Sequence, residues 1–337
     1  MHQGISILIL GAIGLSGCSG APKAPDHRAE FNQLLRADIG PVDENRVAYL
    51  RSAHVDPSRG DAVARIDLDR RVRKWLRVYG VKERAGFQRK LDRGEAYRDM
   101  VERILVEEGM PPQLYYLALV ESGFSAHAES HASAVGMWQF MPGTGRRYGL
   151  RSDMVSDDRR DPVQATRAAA RHLKDLYRRF GSWYLAMAAY NAGPERVARA
   201  VRKARTRDYR ELAKRRMLPL ETLNYVPKFL AAVVIGQHPE EFGLRQPVAR
   251  GWVFPEVQAK VVAPGTSLQK VSSRTGVPVE TLRKLNPHLR KDVAPMSSRR
   301  AKVWVPARGK ETARAPEPHR AGPAPTPRRL SPILAEG

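Results

Sequence analysis

Apolar residues recur three and four positions apart along most of the chain, and this spacing restricts the fold more than any other feature. Val72, Leu76 and Tyr79 form one such set, and similar sets continue to about residue 243. The spacing is typical of amphipathic helices, and the alternation expected of a half-buried strand is almost absent. The pattern predicts a mainly α protein whose larger domain, residues 61–245, is all-α.

Proline and glycine mark the predicted helix ends. Pro111–Pro112 and Asp161–Pro162 each place a proline where a helix begins, and aspartate is a favoured N-cap residue. Gly193–Pro194 ends a short apolar helix. Pro227 falls inside a longer apolar pattern, so we expect a kink or a second helix start there.

After Gly243 the pattern changes to strand, helix, helix, strand. Val261–Val262 predicts a short first strand, Pro264–Gly265 a turn, and Val303–Val305 a closing strand. We therefore expect a small α+β module of βααβ order over residues 255–307.

The two ends of the chain have different compositions. Residues 18–60 are polar and contain proline, as expected of a tether, and residues 308–337 are rich in proline, alanine and arginine, which predicts disorder. The apolar run Ile5–Leu15 is too short to span a bilayer, so residues 1–17 are predicted to be a signal peptide.

Cys18 is the only cysteine of the sequence, so an internal disulfide is excluded. It ends the run Leu15-Ser16-Gly17-Cys18, which resembles a bacterial lipoprotein box, although no lysine or arginine precedes the apolar run. We expect Cys18 to be lipidated, and Ser19 after it favours an outer-membrane anchor facing the periplasm. The alternative is an ordinary buried cysteine.

The formal net charge of +23 suggests a polyanionic partner such as nucleic acid, anionic lipid or an acidic wall polymer. The alternative is an arginine-rich proteome, because arginine is scattered along the chain. The sequence has no phosphate-binding loop and no dinucleotide fingerprint. His127 and His131 lack the HExxH spacing of zinc sites, so we expect neither metal nor cofactor.

One carboxylate is placed as a catalytic acid requires. Glu121 follows Leu117 by four residues and Leu114 by seven, so it shares a helix face with the apolar stripe. Burial raises a carboxyl pKa, and a glutamate that is protonated near neutral pH can act as general acid for a glycosidic oxygen. Gly123 then ends the helix and leaves the site open. The alternative role for Glu121 is a surface salt bridge.

Four blocks that include Glu121 occur in order. They are Glu121–Phe124 (ESGF), Ala134–Thr144 (AVGMWQFMPGT), Ala189–Pro194 (AYNAGP) and Glu221–Pro227 (ETLNYVP). Together they resemble the lytic transglycosylases of the goose-lysozyme-like superfamily, most closely the membrane-bound lytic murein transglycosylase D branch. The resemblance implies a lysozyme-like catalytic domain followed by a LysM-like module.

The resemblance also implies a reaction. The protein would cleave the β-1,4 bond between N-acetylmuramic acid and N-acetylglucosamine in peptidoglycan, with Glu121 as the catalytic carboxylate. Glu121 would protonate the glycosidic oxygen and then accept the proton of the muramoyl 6-hydroxyl, which leaves a 1,6-anhydromuramoyl end. Ordinary glycosidases use two carboxyl groups to activate water or to attack the sugar. Ring closure within the substrate needs neither, so one glutamate suffices.

Seven further residues are placed at the substrate by this resemblance: Ser130, Met137, Gln139, Tyr190, Asn191, Glu221 and Tyr225. Ser130 would contact the N-acetyl group, and Tyr225 would lie near Glu121. Ser133 is a departure, because family members usually have glycine there. Trp138 is either a core aromatic or part of the cleft.

The module and the partners follow from the same resemblance. In LysM modules a glycan groove lies at the positions of Pro264–Thr266 and Leu285–Pro287. No aspartate follows Gly265, so the module either binds glycan or serves only for packing. The expected partners are peptidoglycan strands and, through Cys18, a membrane. Nucleic acid is not expected, since an envelope lipoprotein would not meet it, and the protein is expected to be a monomer.

Two alternative functions stay open at this point. One is a peptidoglycan hydrolase on the same scaffold, in which Asp153, Asp157 or Asp158 would activate water. The other is a wall-binding lipoprotein without catalytic activity.

Overall fold

The computed structural model describes residues 62–296 and 301–307. The signal peptide over 1–17, Cys18 and its tether, and the tail 308–337 lie outside the described residues. Within the described part of the chain, no helix is both long enough and apolar enough to cross a membrane.

The first domain is helical throughout, and isolated bridges are the only β pairing described in it. Its helices are α1 (Ala62–Arg77), α2 (Arg84–Glu95), α3 (Arg98–Glu107), α4 (Tyr115–Ser122), α5 (Pro142–Arg147), α6 (Pro162–Phe180), α7 (Trp183–Ala192), α8 (Pro194–Ala204), α9 (Tyr209–Lys214) and α10 (Leu220–Gln237). A π-helical turn over Val78–Lys82 and 3₁₀ turns at Pro112–Leu114, Asp158–Arg160 and Glu240–Phe242 complete the helical elements described here. The all-α prediction for this domain is confirmed.

Helix α10 is the central element of the domain. It packs against α1, α4 and α7, and its residues Phe229–Ile235 are all buried. A helix that is apolar on every side is stable only when neighbours surround it. The position of α10 therefore fixes the ends of the helices that carry the candidate site.

Pro227 does not interrupt α10, which runs through it as one helix, so the expected second start is wrong. Proline has no N–H to donate to the carbonyl four residues earlier, which here is that of Leu223. That carbonyl instead accepts hydrogen bonds from the Tyr209 hydroxyl at 3.3 Å and from Arg71 Nη1 at 3.2 Å. Donors from α1 and α9 thus replace the missing backbone bond.

Helix α6 begins as the sequence predicts. Asp161 is its N-cap, and Oδ1 accepts hydrogen bonds from the backbone N–H groups of Val163 and Gln164 at 2.9 and 3.0 Å. Pro162 occupies the first turn. Beyond α7 the sequence analysis missed α8, which begins at Pro194 directly after the helix end it had recognised.

The second domain has the predicted βααβ order. Strand β1 (Val257–Val262) pairs antiparallel with β2 (Ala301–Pro306), and helices α11 (Leu268–Thr275) and α12 (Val279–Leu285) lie between them in the chain. Leu268, Val271 and Leu282 from the helices pack with Val303 and Val305 in one small core. Strand β1 is longer than predicted, because its residues 258–261 are exposed and carry little apolar signal.

Candidate active site

Glu121 lies in the last turn of α4, and the chain leaves the helix immediately after it. Gly123 adopts the left-handed conformation at φ 59°. A Cβ on Gly123 would also come within 2.6 Å of Lys90 Cγ, so both backbone conformation and space require glycine. The Glu121 side chain is partly exposed, so solvent or substrate can reach it.

Tyr225 comes from α10 and meets this carboxyl group. Its hydroxyl donates a hydrogen bond of 2.5 Å to Glu121 Oε1 across 104 positions of sequence. The Tyr225 ring is only 4% exposed, so packing fixes the direction of its O–H. Burial, together with the nearby charge of Glu121, raises the pKa of Tyr225 well above its usual value, which keeps the phenol protonated as a donor.

Burial raises the pKa of Glu121 to about 7. The hydrogen bond from Tyr225 lowers it in part, the charge of Glu221 raises it, and the charge of Lys228 lowers it. The net effect is that desolvation outweighs stabilisation of the carboxylate. The predicted rise in the Glu121 pKa is confirmed, and near neutral pH both protonation states are populated.

A short hairpin over residues 135–140 forms a neighbouring part of the site. Val135 and Phe140 exchange both backbone hydrogen bonds at 3.1 Å. Gly136 has φ 84° and lies directly against the Arg159 carbonyl, so no side chain fits there. Gln139 has φ 48°, and its Nε2 donates to the Gly136 carbonyl at 2.9 Å. The polar side chain of Gln139 therefore braces the turn and remains partly exposed.

Trp138 belongs to the core. Its ring is 0% exposed, and Nε1 donates to Thr166 Oγ1 on α6 at 2.9 Å. Its backbone carbonyl accepts a hydrogen bond of 2.9 Å from the Tyr190 hydroxyl at the end of α7. Burial and the charge of Glu121 raise the pKa of Tyr190, which lies close enough to Glu121 to be affected by it.

Met137 is placed differently from the other candidate residues. Its side chain is 1% exposed and packs in the core. Its backbone carbonyl accepts a hydrogen bond of 2.8 Å from Ser122 Oγ, the residue after Glu121. Ser122 also accepts from the Ser125 N–H at 3.1 Å. The sequence analysis missed this role of Ser122, although the residue lies inside the ESGF block.

Asn191 joins the end of α7 to the start of α10. Its Nδ2 donates to Glu221 Oε1 at 3.2 Å, and its Oδ1 accepts from Thr222 Oγ1 at 2.8 Å. Asn191 is partly exposed and Glu221 is exposed. Glu221 also raises the pKa of Glu121 through its charge. The sequence analysis missed Lys228, one turn beyond Tyr225 on α10, whose charge acts on Glu121 in the opposite direction.

Ser130 and Ser133 belong to one turn. Ser130 Oγ accepts from the Ala134 N–H at 3.0 Å, and the Ser130 N–H donates to the Ala134 carbonyl at 2.9 Å. Ser133 has φ 64°. That conformation favours glycine, which agrees with the residue type that the family resemblance implies at this position.

The three aspartates considered as water-activating groups all have structural partners. Asp157 accepts from Arg159 and Arg290, Asp153 accepts from the backbone of Val155 and Ser156, and Asp158 from that of Arg151. Within residues 62–296 and 301–307 there is no group of three or more histidine, cysteine, aspartate or glutamate side chains that could hold a metal ion.

Comparison with known proteins finds two family matches in the chain. The transglycosylase SLT domain family matches residues 102–213, and the LysM-like domain family of lytic transglycosylase MltD matches residues 257–319. The chain is 36% identical over 202 residues to membrane-bound lytic murein transglycosylase D of Escherichia coli strain K12, a match that covers 58% of this chain and 43% of that protein. The match thus spans less than half the length of this curated relative.

Two further matches are shorter or more distant. Peptidoglycan transglycosylase gp16 of Escherichia phage T7 is 40% identical over 83 residues, which is 24% of this chain and 6% of that protein. The crystal structure of the 70 kDa soluble lytic transglycosylase Slt70 from Escherichia coli is 24% identical with a TM-score of 0.38, over 61% of this chain and 34% of that one. By its two family matches, the chain has an SLT domain followed by a domain similar to the LysM-like domain of lytic transglycosylase MltD.

Proposed function

We propose that the protein is a peptidoglycan lytic transglycosylase. It would cleave the β-1,4 bond between N-acetylmuramic acid and N-acetylglucosamine without water and leave 1,6-anhydromuramoyl ends. The observation that carries this proposal is Glu121, a partly exposed carboxyl group whose pKa burial raises to about 7 and which lies within the SLT-matched segment. A group of that pKa can give up a proton and take one back near neutral pH.

In the first step Glu121 acts as general acid. Oε1 is occupied by the Tyr225 hydroxyl, so the proton belongs on Oε2. Transfer of that proton to the glycosidic oxygen lets the bond from the muramoyl C1 break, and the departing sugar leaves with a free 4-hydroxyl. The fixed Tyr225 donor stabilises the carboxylate that forms.

In the second step the Glu121 carboxylate acts as base. It removes the proton of the muramoyl 6-hydroxyl while that oxygen bonds to C1, which closes the anhydro ring. Glu121 ends protonated, as it began, and no water is consumed. The proton balance therefore needs one carboxyl group.

The remaining residues would hold the sugars and the groups around Glu121. Ser130 and Gln139 would contribute from the turn and the hairpin, and Tyr190 and Asn191 from the end of α7. Glu221 positions Asn191 and influences the Glu121 pKa. Met137 contributes from the core, through the carbonyl that orients Ser122.

The location of the protein is a proposal of the same kind. The named relative from Escherichia coli is a membrane-bound protein. We infer that this chain is likewise attached to the outer membrane through a lipidated Cys18, faces the periplasm and acts there as a monomer. The excess of basic residues would favour contact with anionic wall polymer, and this attraction would weaken with added salt.

Mass spectrometry of the released muropeptides tests the function. Purified sacculi digested by the protein should yield muropeptides that end in anhydromuramic acid, each one water lighter than the corresponding reducing end. A digest that contains only reducing ends would replace the proposal with hydrolysis. A digest with no release would favour a wall-binding protein.

A further inference from the structure

Two buried aspartates of the catalytic domain take hydrogen-bond donors from the LysM-like module. Trp304 Nε1, on β2, donates to Asp161 Oδ2 at 2.7 Å. Arg290 Nη2, from the loop after α12, donates to Asp157 Oδ2 at 3.0 Å. Both aspartates are 0% exposed. A buried carboxylate is stable only with such partners, so the module supplies part of what this region of the catalytic domain needs.

Backbone pairing fixes how the two domains meet. The Asp157 N–H donates to the His288 carbonyl at 2.9 Å, and the Arg290 N–H donates to the Val155 carbonyl at 2.8 Å. Ser156 and Leu289 form an antiparallel bridge between these bonds. Like two short strands, these segments have one register, so the module sits in a defined orientation on the catalytic domain.

Asn286 fixes the backbone of Trp304 from within the module. Its Oδ1 accepts from the backbone N–H of Trp304 at 2.7 Å, and its Nδ2 donates to the Trp304 backbone carbonyl at 2.9 Å. Asn286 is buried. The residue that falls at the glycan groove in the family resemblance thus serves the domain contact, by holding the strand residue that reaches Asp161.

Asp157 also accepts hydrogen bonds from Arg159, a residue of the catalytic domain. Its Nε and Nη2 donate to the two carboxylate oxygens of Asp157 at 2.9 and 2.8 Å. Its Nη1 donates to the backbone carbonyls of Ser133 at 2.9 Å and Phe140 at 3.2 Å. Arg159 therefore joins the module-bound aspartate to the last residue of the hairpin and to Ser133, two positions before its first residue.

The hairpin held by Arg159 is hydrogen-bonded to residues near Glu121. Its Met137 carbonyl accepts the hydroxyl of Ser122, and its Trp138 carbonyl accepts the hydroxyl of Tyr190. Asp161, the second aspartate bound by the module, caps α6. Thr166 on the same helix accepts a hydrogen bond from the Trp138 indole N–H. The Arg290 contact thus leads to the hairpin through the side chains of Asp157 and Arg159, and the Trp304 contact leads to it through Asp161, helix α6 and Thr166.

We propose that Arg159 is a positioning residue for the hairpin at residues 135–140, and that the module keeps Arg159 in place through Arg290 and Asp157. Trp304 acts on the same hairpin by a separate route, through Asp161 and α6. The module then helps to position the hairpin beside the candidate site, in addition to any role in binding the cell wall. The inference rests on the proposed function for what the hairpin does, but the coupling itself can be measured without it.

Hydrogen exchange of the full chain tests the coupling. We would compare the wild type with Arg290→Gln and Trp304→Phe, with Arg274→Gln as the matched control, because Arg274 is an exposed arginine of the same module. Exchange should become faster at the hairpin amides, such as those of Val135 and Phe140, in the two interface variants and stay unchanged in the control. Unchanged hairpin exchange would overturn the proposal. So would an increase spread evenly over the core helix α10, which would show only lost stability.

Kinetics on two substrates test whether the coupling matters for the reaction. On a soluble glycan tetrasaccharide, too short for wall attachment to contribute, Arg290→Gln should lower kcat/KM roughly five- to tenfold, as expected of a coupled residue. Arg274→Gln should match the wild type. A loss seen only on long strands or sacculi would mean that the module merely tethers the enzyme, and would overturn the positioning role. If the wild type proved inactive on glycan, the proposed function would fail while the exchange experiment still decided the coupling.

Discussion

Glu121 and Asp157 are two carboxyl groups of one domain in opposite electrostatic settings. Glu121 accepts one described hydrogen bond, from Tyr225, and burial raises its pKa to about 7. Burial also acts on Asp157, but hydrogen bonds and charge from Arg159, with a further bond from Arg290, bring its pKa below the usual value. Removal from water raises the pKa of both carboxyl groups, so it does not explain why their pKa values shift in opposite directions. The number and charge of the hydrogen-bond donors around each group explain the difference.

The difference separates a group that can exchange a proton from one that holds a structure. With a pKa raised to about 7, Glu121 can be protonated or ionised near neutral pH. The proposed role, first as acid and then as base, requires both forms. The arginine partners of Asp157 stabilise its carboxylate form and lower its pKa. Exchanging either residue for its amide should therefore have unlike effects on activity and on stability.

Glu121→Gln should have the largest effect on activity. The amide cannot donate the proton, so muropeptide release should fall by about a thousandfold or more. Stability should be unchanged or higher by about 1–3 kcal/mol at pH 8, where the wild type must ionise a desolvated carboxyl group. Muropeptide release and urea unfolding measure the two quantities.

The control for that variant is Glu195→Gln, at an exposed glutamate whose described partner is Arg179. It should leave both activity and stability near the wild type. Full activity in Glu121→Gln would reassign the catalytic acid.

Asp157→Asn should have the largest effect on stability. It leaves two arginine side chains short of a buried charged partner, so the free energy of unfolding should fall by about 3–5 kcal/mol. Asp175→Asn, at an exposed aspartate on α6, should cost less than about 1 kcal/mol. Urea unfolding compares them, and equal losses would show that burial of Asp157 adds nothing.

The pH dependence of activity tests the setting of Glu121 directly. The proposed reaction begins with the protonated Glu121 carboxyl group, whose pKa burial raises to about 7, so kcat/KM should decline as the pH rises past about 7. Tyr225→Phe removes a hydrogen bond that lowers the Glu121 pKa, so the alkaline decline should move to higher pH as the overall rate falls. An alkaline limb that stays in place or moves to lower pH would contradict this assignment.

Ser133→Gly should have the smallest effect and lies on the segment between the two carboxyl groups. Ser133 adopts φ 64°, a conformation that costs a residue with a Cβ but not glycine. Allowing for the greater freedom of glycine in the unfolded chain, we expect a gain of about 0.5–1 kcal/mol. Thermal unfolding should show no gain for Ser133→Ala, which keeps the Cβ. A similar gain in both would point to the hydroxyl and not to the backbone.

Local patterns in the sequence were sufficient for much of the fold. The spacing of apolar residues and the positions of proline, glycine and aspartate predicted the all-α domain, the N-cap at Asp161 and the βααβ order of the module. They missed α8, whose apolar stripe is made mostly of small alanines among arginines. They also predicted a kink or a second helix start at Pro227. The second start is wrong, and local pattern could not show this, because the side chains that satisfy the Leu223 carbonyl come from distant helices.

The candidate site was predictable only in part. Glu121 and Tyr225 lie in short motif blocks, and the amphipathic pattern alone indicates that Glu121 faces inward. Arg159 and Trp304 have no such signal. The Ser133 carbonyl that Arg159 binds lies 26 positions away, and Asp161, the partner of the Trp304 indole, lies 143 positions away, so no local spacing records these two contacts. The placement of the Met137 side chain in the core likewise depends on how the hairpin packs.

The late position of Trp304 has a consequence for how the molecule is made. Ribosomes deliver the N-terminal domain first, and domains generally fold as they emerge. Asp161 is therefore in place long before its indole donor exists. Translation must reach the last strand of the module before that carboxylate receives the hydrogen bond of the indole. A chain that stops short of residue 304 would contain Glu121 and every other residue proposed for the site, and would lack this contact between the two domains.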